Sequence, residues 1–252
     1  MKKFIVAILV VCMVAMMGMA AFAADAVITK FNPDDVDAYM GYNTGLAGYG
    51  IASPTLSKVG NGVKVECVGD TANTQSFYLK DEALLNVAKT ITSYKYVRAY
   101  VEIGSAAVAF RFTLNDSEGG AVAFDCTKAV LIGTDGSKPE VATADGGGYA
   151  TNSAAVIPAN FKGYVIFSVE ALTLAPPAGW NRPAYDASKL ASIELDIRNG
   201  QNSSYVLGEM VVTDSAEAPS EGPAATADVT TIAFAAAAVL SCGALTVVRK
   251  KK

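Results

Sequence analysis

The sequence predicts an all-β protein, an antiparallel β-sandwich of jelly-roll type, and three observations carry that prediction. Apolar and polar residues alternate with a period of two in seven separate stretches between residues 27 and 212. Glycine- and Asn/Asp-rich turns punctuate them. A single short stretch, 81–87, reads as helix. Strands that alternate this cleanly bury one face, and two such sheets packed face to face bury both sets.

The clearest alternating runs are 62–67, 96–103, 108–114, 121–126, 163–169, 193–197 and 205–212, with weaker ones at 27–31, 75–79 and 154–157. Between them stand Gly60-Asn61-Gly62, Asn115-Asp116, Glu118-Gly119-Gly120, Asp135-Gly136 and Asp145-Gly146-Gly147-Gly148. In 96–103 the apolar side is Val97, Ala99, Val101 and Ile103, and the other is Tyr96, Arg98, Tyr100 and Glu102. The run 108–114 repeats this, with Val108, Phe110, Phe112 and Leu114 against Arg111 and Thr113. The run 193–197 places Ile193, Leu195 and Ile197 opposite Glu194, Asp196 and the following Arg198.

Both chain ends have a different character. Lys2-Lys3, an apolar run from Phe4 to Met17 and Ala21-Phe22-Ala23 have the layout of a secretory signal peptide, assigned to residues 1–24. Residues 229–248 carry no charge and are followed by Arg249-Lys250-Lys251-Lys252. Twenty residues of helix span about 30 Å, a bilayer's hydrocarbon thickness, and the basic tail at 249–252 is expected to stay in the cytoplasm. The sandwich is therefore expected over 25–213, outside the cell, with a Pro/Ser/Glu-rich spacer over 214–228 leading to a single transmembrane helix.

Charge and composition exclude several functions. Residues 25–228 hold 14 of the 20 Lys/Arg and all 24 Asp/Glu, a net charge of −10, so nucleic acid is an unsuitable partner. The chain has no histidine, which removes Ser-His-Asp and Cys-His catalysis and the commonest zinc sites. A glycosidase would need paired carboxylates in a cleft, such as Glu102 with Glu194 or Asp196. The expectation is a non-catalytic protein. Cys67 and Cys126 fall on apolar sides of their runs, as buried free thiols or as a disulfide if their strands are neighbours.

If the alternating strands share a sheet, its solvent face gathers Tyr96, Arg98, Tyr100, Arg111, Asp196 and Arg198. Aromatic faces stack on pyranose rings, and Arg and carboxylate side chains bond paired hydroxyls, so this mixture suits a carbohydrate. The same pattern also describes an ordinary solvated face with cross-strand ion pairs. Trp180, the single tryptophan, lies in the proline-rich loop Pro176-Pro177-Ala178-Gly179-Trp180-Asn181-Arg182. It is read either as a ligand platform or as a plug for the open end of the sandwich. Asp34, Asp35 and Asp37 can offer oxygens to a structural Ca²⁺, although their spacing is not that of an EF-hand. No other cofactor is expected. The glycine run 146–148 lacks the helix and Lys-Ser/Thr pair of a phosphate loop.

Two resemblances extend this reading. Pro223-Ala224-Ala225-Thr226-Ala227-Asp228, the apolar segment and the basic tail resemble, in degenerate form, the cell-wall sorting signal of Gram-positive surface proteins, where sortase cuts after the Thr. Membrane retention and wall attachment after Thr226 are the two anchoring modes this implies. The strand Gly163-Tyr164-Val165-Ile166, the turn Asp186-Ala187-Ser188-Lys189-Leu190 and the strand Tyr205-Val206-Leu207-Gly208-Glu209 resemble carbohydrate-binding jelly rolls of galactose-binding-like type. That likeness implies a sandwich that binds polysaccharide or cell-wall glycan. The alternative is a structural or adhesive surface protein that docks another protein.

Overall fold

The computed structural model describes residues 25–29, 40–42, 55–59, 62–66, 73–79, 82–146, 149–199 and 204–219. The signal peptide, Asp34, Asp35, Asp37, Cys67, Thr226 and the apolar segment 229–248 lie outside the described residues. Among the described residues no helix is long and apolar enough to cross a membrane.

These residues form two antiparallel sheets, as the alternation predicts. In chain order the strands are β1 (Ala26–Thr29), β2 (Met40–Tyr42), β3 (Thr55–Val59), β4 (Gly62–Glu66), β5 (Asn73–Leu79), β6 (Tyr96–Ile103), β7 (Val108–Asp116) and β8 (Ala121–Phe124). They continue with β9 (Val130–Gly133), β10 (Ala142–Ala144), β11 (Ala154–Ile157), β12 (Lys162–Ser168), β13 (Leu172–Leu174), β14 (Leu190–Asn199) and β15 (Ser204–Thr213). One α-helix, α1 (Glu82–Ala88), follows β5. Sheet A runs β3-β4-β15-β6-β12-β9, with β1 also paired to β15. Sheet B runs β10-β11-β7-β14-β5-β2, with β8 pairing β7 and β13. All ten predicted strands are present, and the predicted helix is α1, one residue later than expected.

The two apolar faces meet in one core. Sheet A contributes Val63, Val65, Val97, Val101, Val165 and Phe167, and sheet B contributes Phe77, Phe110, Phe112, Leu114, Leu195 and Ile197. Phe167 of β12 reaches across to Phe110, Phe112 and Phe124 of sheet B, with ring centroids 5.3–6.3 Å apart. Each such ring contributes roughly 2–3 kcal/mol by burial, so this cluster is a principal tie between the sheets. Cys126 sits in a 3₁₀ turn after β8, fully buried and as a free thiol. Its place in the core agrees with the sequence reading.

The strands that resemble the carbohydrate-binding jelly rolls owe their residues to packing. A Cβ on Gly163 would collide with the Ile132 carbonyl oxygen and lie 2.7 Å from Gly133 Cα, both backbone atoms of β9. Gly208 and Glu209 together oppose Tyr100, because Leu207 pairs with Val101 and Met210 with Ala99. This two-against-one register is a β-bulge. A Cβ on Gly208 would sit 2.7 Å from the Tyr100 ring, so the bulge needs glycine there.

The middle of sheet A's outer side, on β6, β12 and β9, is not a solvated face. Tyr100, Ile132, Tyr164 and Ile166 form a second buried cluster, against which Tyr96 and Ala218 pack. Arg98, 5% exposed, is paired with the Asp25 carboxylate and donates to the Glu217 carbonyl oxygen at 3.0 Å. Asp214 Oδ1 accepts from the Lys95 amide at 3.2 Å. Residues 214–218, which composition places in the spacer, thus lie on the sheet, and the compact unit extends to Ala218. An apolar outer face needs cover, and this segment supplies it.

Candidate functional site

The expectation that one face gathers all the sequence-predicted residues is corrected by the sheet order. Tyr96, Arg98 and Tyr100 belong to β6 in sheet A, whereas Arg111, Asp196 and Arg198 belong to β7 and β14 in sheet B. The alternation within each strand was read correctly, but outward on β6 and outward on β7 are opposite sides of the sandwich. The cluster around Arg98 is occupied by Asp25, Glu217 and Ala218. Tyr100 donates its hydroxyl to Glu102 Oε1 at 2.7 Å and sets its ring edge-on to Tyr164 at 5.4 Å. Burial pushes the Tyr100 hydroxyl well above the usual phenol range, and the Glu102 carboxylate adds to this.

Sheet B carries the remaining residues together. The register places Arg111 opposite Asp196, Thr113 opposite Glu194 and Ala109 opposite Arg198. Arg111 Nη2 lies 2.8 Å from Asp196 Oδ2 and 3.3 Å from Glu194 Oε1. Tyr78 of β5 donates to the same Glu194 oxygen at 3.4 Å. Asp196 is 3% exposed, and burial lifts its pKa to about 6 in spite of Arg111, with Glu194 pushing the same way. Among the described residues, four buried polar atoms on this face have no hydrogen-bond partner: Arg111 Nε, Thr113 Oγ1, Asp196 Oδ1 and Arg198 Nε.

Two loops roof part of the face. In 145–153, the Gly146 carbonyl accepts from Arg111 Nη1, and the Gly146 amide donates to Ser153 Oγ at 2.9 Å. A Cβ on Gly146 would stand 2.7 Å from Arg111 Cδ, which is why the glycine run begins here. The same loop lays the Tyr149 ring against Arg111, with the guanidinium carbon 4.6 Å from the ring centroid. In 175–186, a 3₁₀ turn over Ala178–Trp180 ends at Asn181 in the left-handed region. Asn tolerates that conformation better than most residues. The turn sets Trp180 edge-on to Tyr149, centroids 5.3 Å apart at 87°, with the Arg182 guanidinium 5.6 Å over the indole.

The second loop is pinned at the end of β7. Arg182 Nη1 donates to Asn115 Oδ1 at 3.4 Å. The Asp116 carboxylate accepts from the amides of Asp186, Gly120 and Glu118 at 2.8–2.9 Å. These bonds, the one from Asp186 foremost, hold its pKa below the usual carboxylate range. Asp186 in turn caps the next 3₁₀ turn by accepting from Ser188 N and Oγ, so the Asp-x-Ser-Lys pattern is a loop anchor.

Trp180 is 44% exposed, one of three large hydrophobic residues so open among the described residues. The plug reading of Trp180 is therefore corrected: the ring lies on the surface, braced on Tyr149 and Arg182. Tyr149 was not singled out from sequence, because it sits in a glycine-rich loop without period. The pairings of Glu102 with Glu194 or Asp196 are also removed, since Glu102 bonds Tyr100 and Lys162 on the outer side of sheet A. Among the described residues no group of three His, Cys, Asp or Glu is arranged to hold a metal ion.

No family model matches the sequence, and comparison with curated proteins gives no match. Solved structures with a related arrangement include the family 11 carbohydrate-binding module of the cellulosomal cellulase Lic26A-Cel5E of Clostridium thermocellum. It is 12% identical, with 75% of this chain and 95% of that one covered and a TM-score of 0.43. The CBM22-1 xylan-binding domain of Paenibacillus barcinonensis Xyn10C is 11% identical, with coverages of 78% and 96% and a TM-score of 0.32. PfGH50B is 7% identical, with coverages of 73% and 23% and a TM-score of 0.37. At these scores the assignment of function rests on the geometry of this chain.

Proposed function

We propose that this chain is a non-catalytic, glycan-binding β-sandwich displayed on the outside of a cell, and that glycan meets it at Trp180 on the roofed side of sheet B. The observation that carries the reading is an exposed indole braced by Tyr149 and Arg182, with Tyr149 resting in turn on Arg111 of the Arg and carboxylate row. An indole this exposed offers a platform for the C–H face of a pyranose, and Arg182, which lies over the ring, and Asn181, next in the chain, can bond hydroxyls. Because the loop is anchored at Asn115 and Asp116, little ordering is required on binding. Display outside the cell is supported by the signal-like start and by the apolar segment with its basic tail.

Affinity electrophoresis against soluble polysaccharides tests the reading. The first probes are the β-1,3-1,4-mixed-linked glucan and xylan named for modules of related arrangement, together with bacterial wall glycan. Trp180→Ala is expected to abolish retardation while leaving the thermal midpoint within about 2 °C, as for a surface change. Failure of every polysaccharide to retard the wild-type chain sinks the proposal. The intact mass of the exported protein distinguishes retention of 229–252 from cleavage after Thr226.

A further inference from the structure

Tyr149 joins a stiff group to an open one. On one side is Arg111, 5% exposed on the interior strand β7, held by Glu194, Asp196 and the Gly146 carbonyl. On the other is Trp180, at the tip of a loop closed by two backbone bonds, Trp180 N to Pro177 O and Asn181 N to Ala178 O. Those bonds fix the turn of the backbone but leave the indole its side-chain torsions. Neighbouring Gly179 is in open space, with nothing within 4 Å of a Cβ built on it. Tyr149 is 6% exposed, and its ring lies against both the guanidinium and the indole.

We infer that Tyr149 is a positioning residue for Trp180, carrying the fixed place of Arg111 on sheet B outward to the indole and presenting its open surface to a glycan pyranose ring. The inference rests on the glycan-binding reading for its ligand, but the link from Tyr149 to Trp180 stands on geometry alone. Arg182 braces the indole by a different route, through Asn115, so Tyr149 and Arg182 hold one ring from two elements. Edge-to-face contact is made by the flat aromatic ring and does not require a hydroxyl. Tyrosine and phenylalanine are therefore equivalent at this position for this purpose, and an aliphatic residue is not.

Trp180 is the protein's single tryptophan, so its fluorescence reports this contact without interference from another indole. The test compares wild type with Tyr149→Phe, Tyr149→Leu and Tyr149→Ala, first without any polysaccharide. In Tyr149→Leu and Tyr149→Ala, acrylamide quenching of Trp180 should rise and its anisotropy fall, while Tyr149→Phe should match wild type. Tyr149→Leu keeps most of the side-chain bulk, so the comparison survives if Tyr149→Ala fails to fold. Unchanged quenching and anisotropy in the folded aliphatic variants overturn the inference. In the second arm, retardation by whichever of mixed-linked glucan or xylan holds the wild type should weaken about three- to tenfold in those variants and recover in Tyr149→Phe. Loosened fluorescence with undiminished retardation removes the binding role. No retardation of the wild type defeats the glycan reading instead, and the first arm still decides whether Tyr149 fixes Trp180.

Discussion

Replacing Asp196 by Asn tests which force governs the outer face of sheet B, desolvation or ion pairing. Asp196 lies beside Glu194 and Arg198 on β14, with Arg111 opposite, Tyr78 on the neighbouring strand and Tyr149 above Arg111. Burial outweighs the Arg111 guanidinium and raises the carboxyl from 3.8 to about 6. Between those values the folded chain holds a proton that the unfolded chain releases. The stabilising contribution is therefore complete below about pH 4 and is lost as pH rises through 6. A shift of about two units, at roughly 1.4 kcal/mol each, corresponds to about 3 kcal/mol. The measurement is the difference in urea-unfolding free energy between wild type and Asp196→Asn at pH 4, 5, 6 and 7. Taking the difference cancels carboxylates common to both chains, including Asp116, whose pKa is lowered and whose contribution has the opposite slope. Asp196→Asn should gain on wild type by about 3 kcal/mol from pH 4 to pH 7. A flat difference, or wild type gaining as pH rises, would show that the Arg111 pair dominates and refute the reasoning.

Two further outcomes follow from packing. Gly163→Ala should destabilise by about 3 kcal/mol, because the new methyl meets the backbone of β9 and forces β9 from β12. Gly179→Ala, which meets nothing, should stay within about 0.5 kcal/mol by the same urea assay, and equal effects would contradict the argument. Burial pushes the Cys126 thiol up to about 12. In a chain whose other cysteines are serine, Cys126 should resist a thiol reagent at pH 8 until denaturant is added, and prompt native labelling would show that it is accessible.

Much of the fold was legible because each long strand separates its two faces. On β7, Phe110 and Phe112 go inward and Arg111 outward, and on β14 Leu195 goes inward and Asp196 outward. The strands that escaped notice, β2, β3, β9, β10 and β13, are three to five residues long and give too few alternations to register. β9 is harder still: Leu131 enters the main core and Ile132 the outer cluster, so both faces are apolar. What alternation cannot convey is strand order. β6 and β7 are consecutive and read alike, yet they lie in different sheets, which is why Tyr100 and Arg111 never share a surface. The covering role of 214–218 was hidden for a related reason. A segment of Asp, Ser, Ala and Glu has no period, and the bond Asp214 accepts from Lys95, the carbonyl offered to Arg98 and the Ala218 methyl reveal its place. Tyr149 was invisible in the same way, although Gly146, needed for the loop to approach Arg111, was its one trace in the sequence.

The position of β15 has a mechanical consequence. It lies inside sheet A, bonded along its length to β4 and β1 on one side and to β6 on the other. Tension applied at its C-terminal end would first have to peel Glu217 from Arg98, and would then load the flanking ladders in shear, many bonds resisting together. An outermost strand such as β3, bonded only to β4, has one ladder instead of two to resist the same pull. The lifetime of a stretched domain is set by its unfolding rate, so two ladders on β15 would slow unfolding under a pull at Thr213.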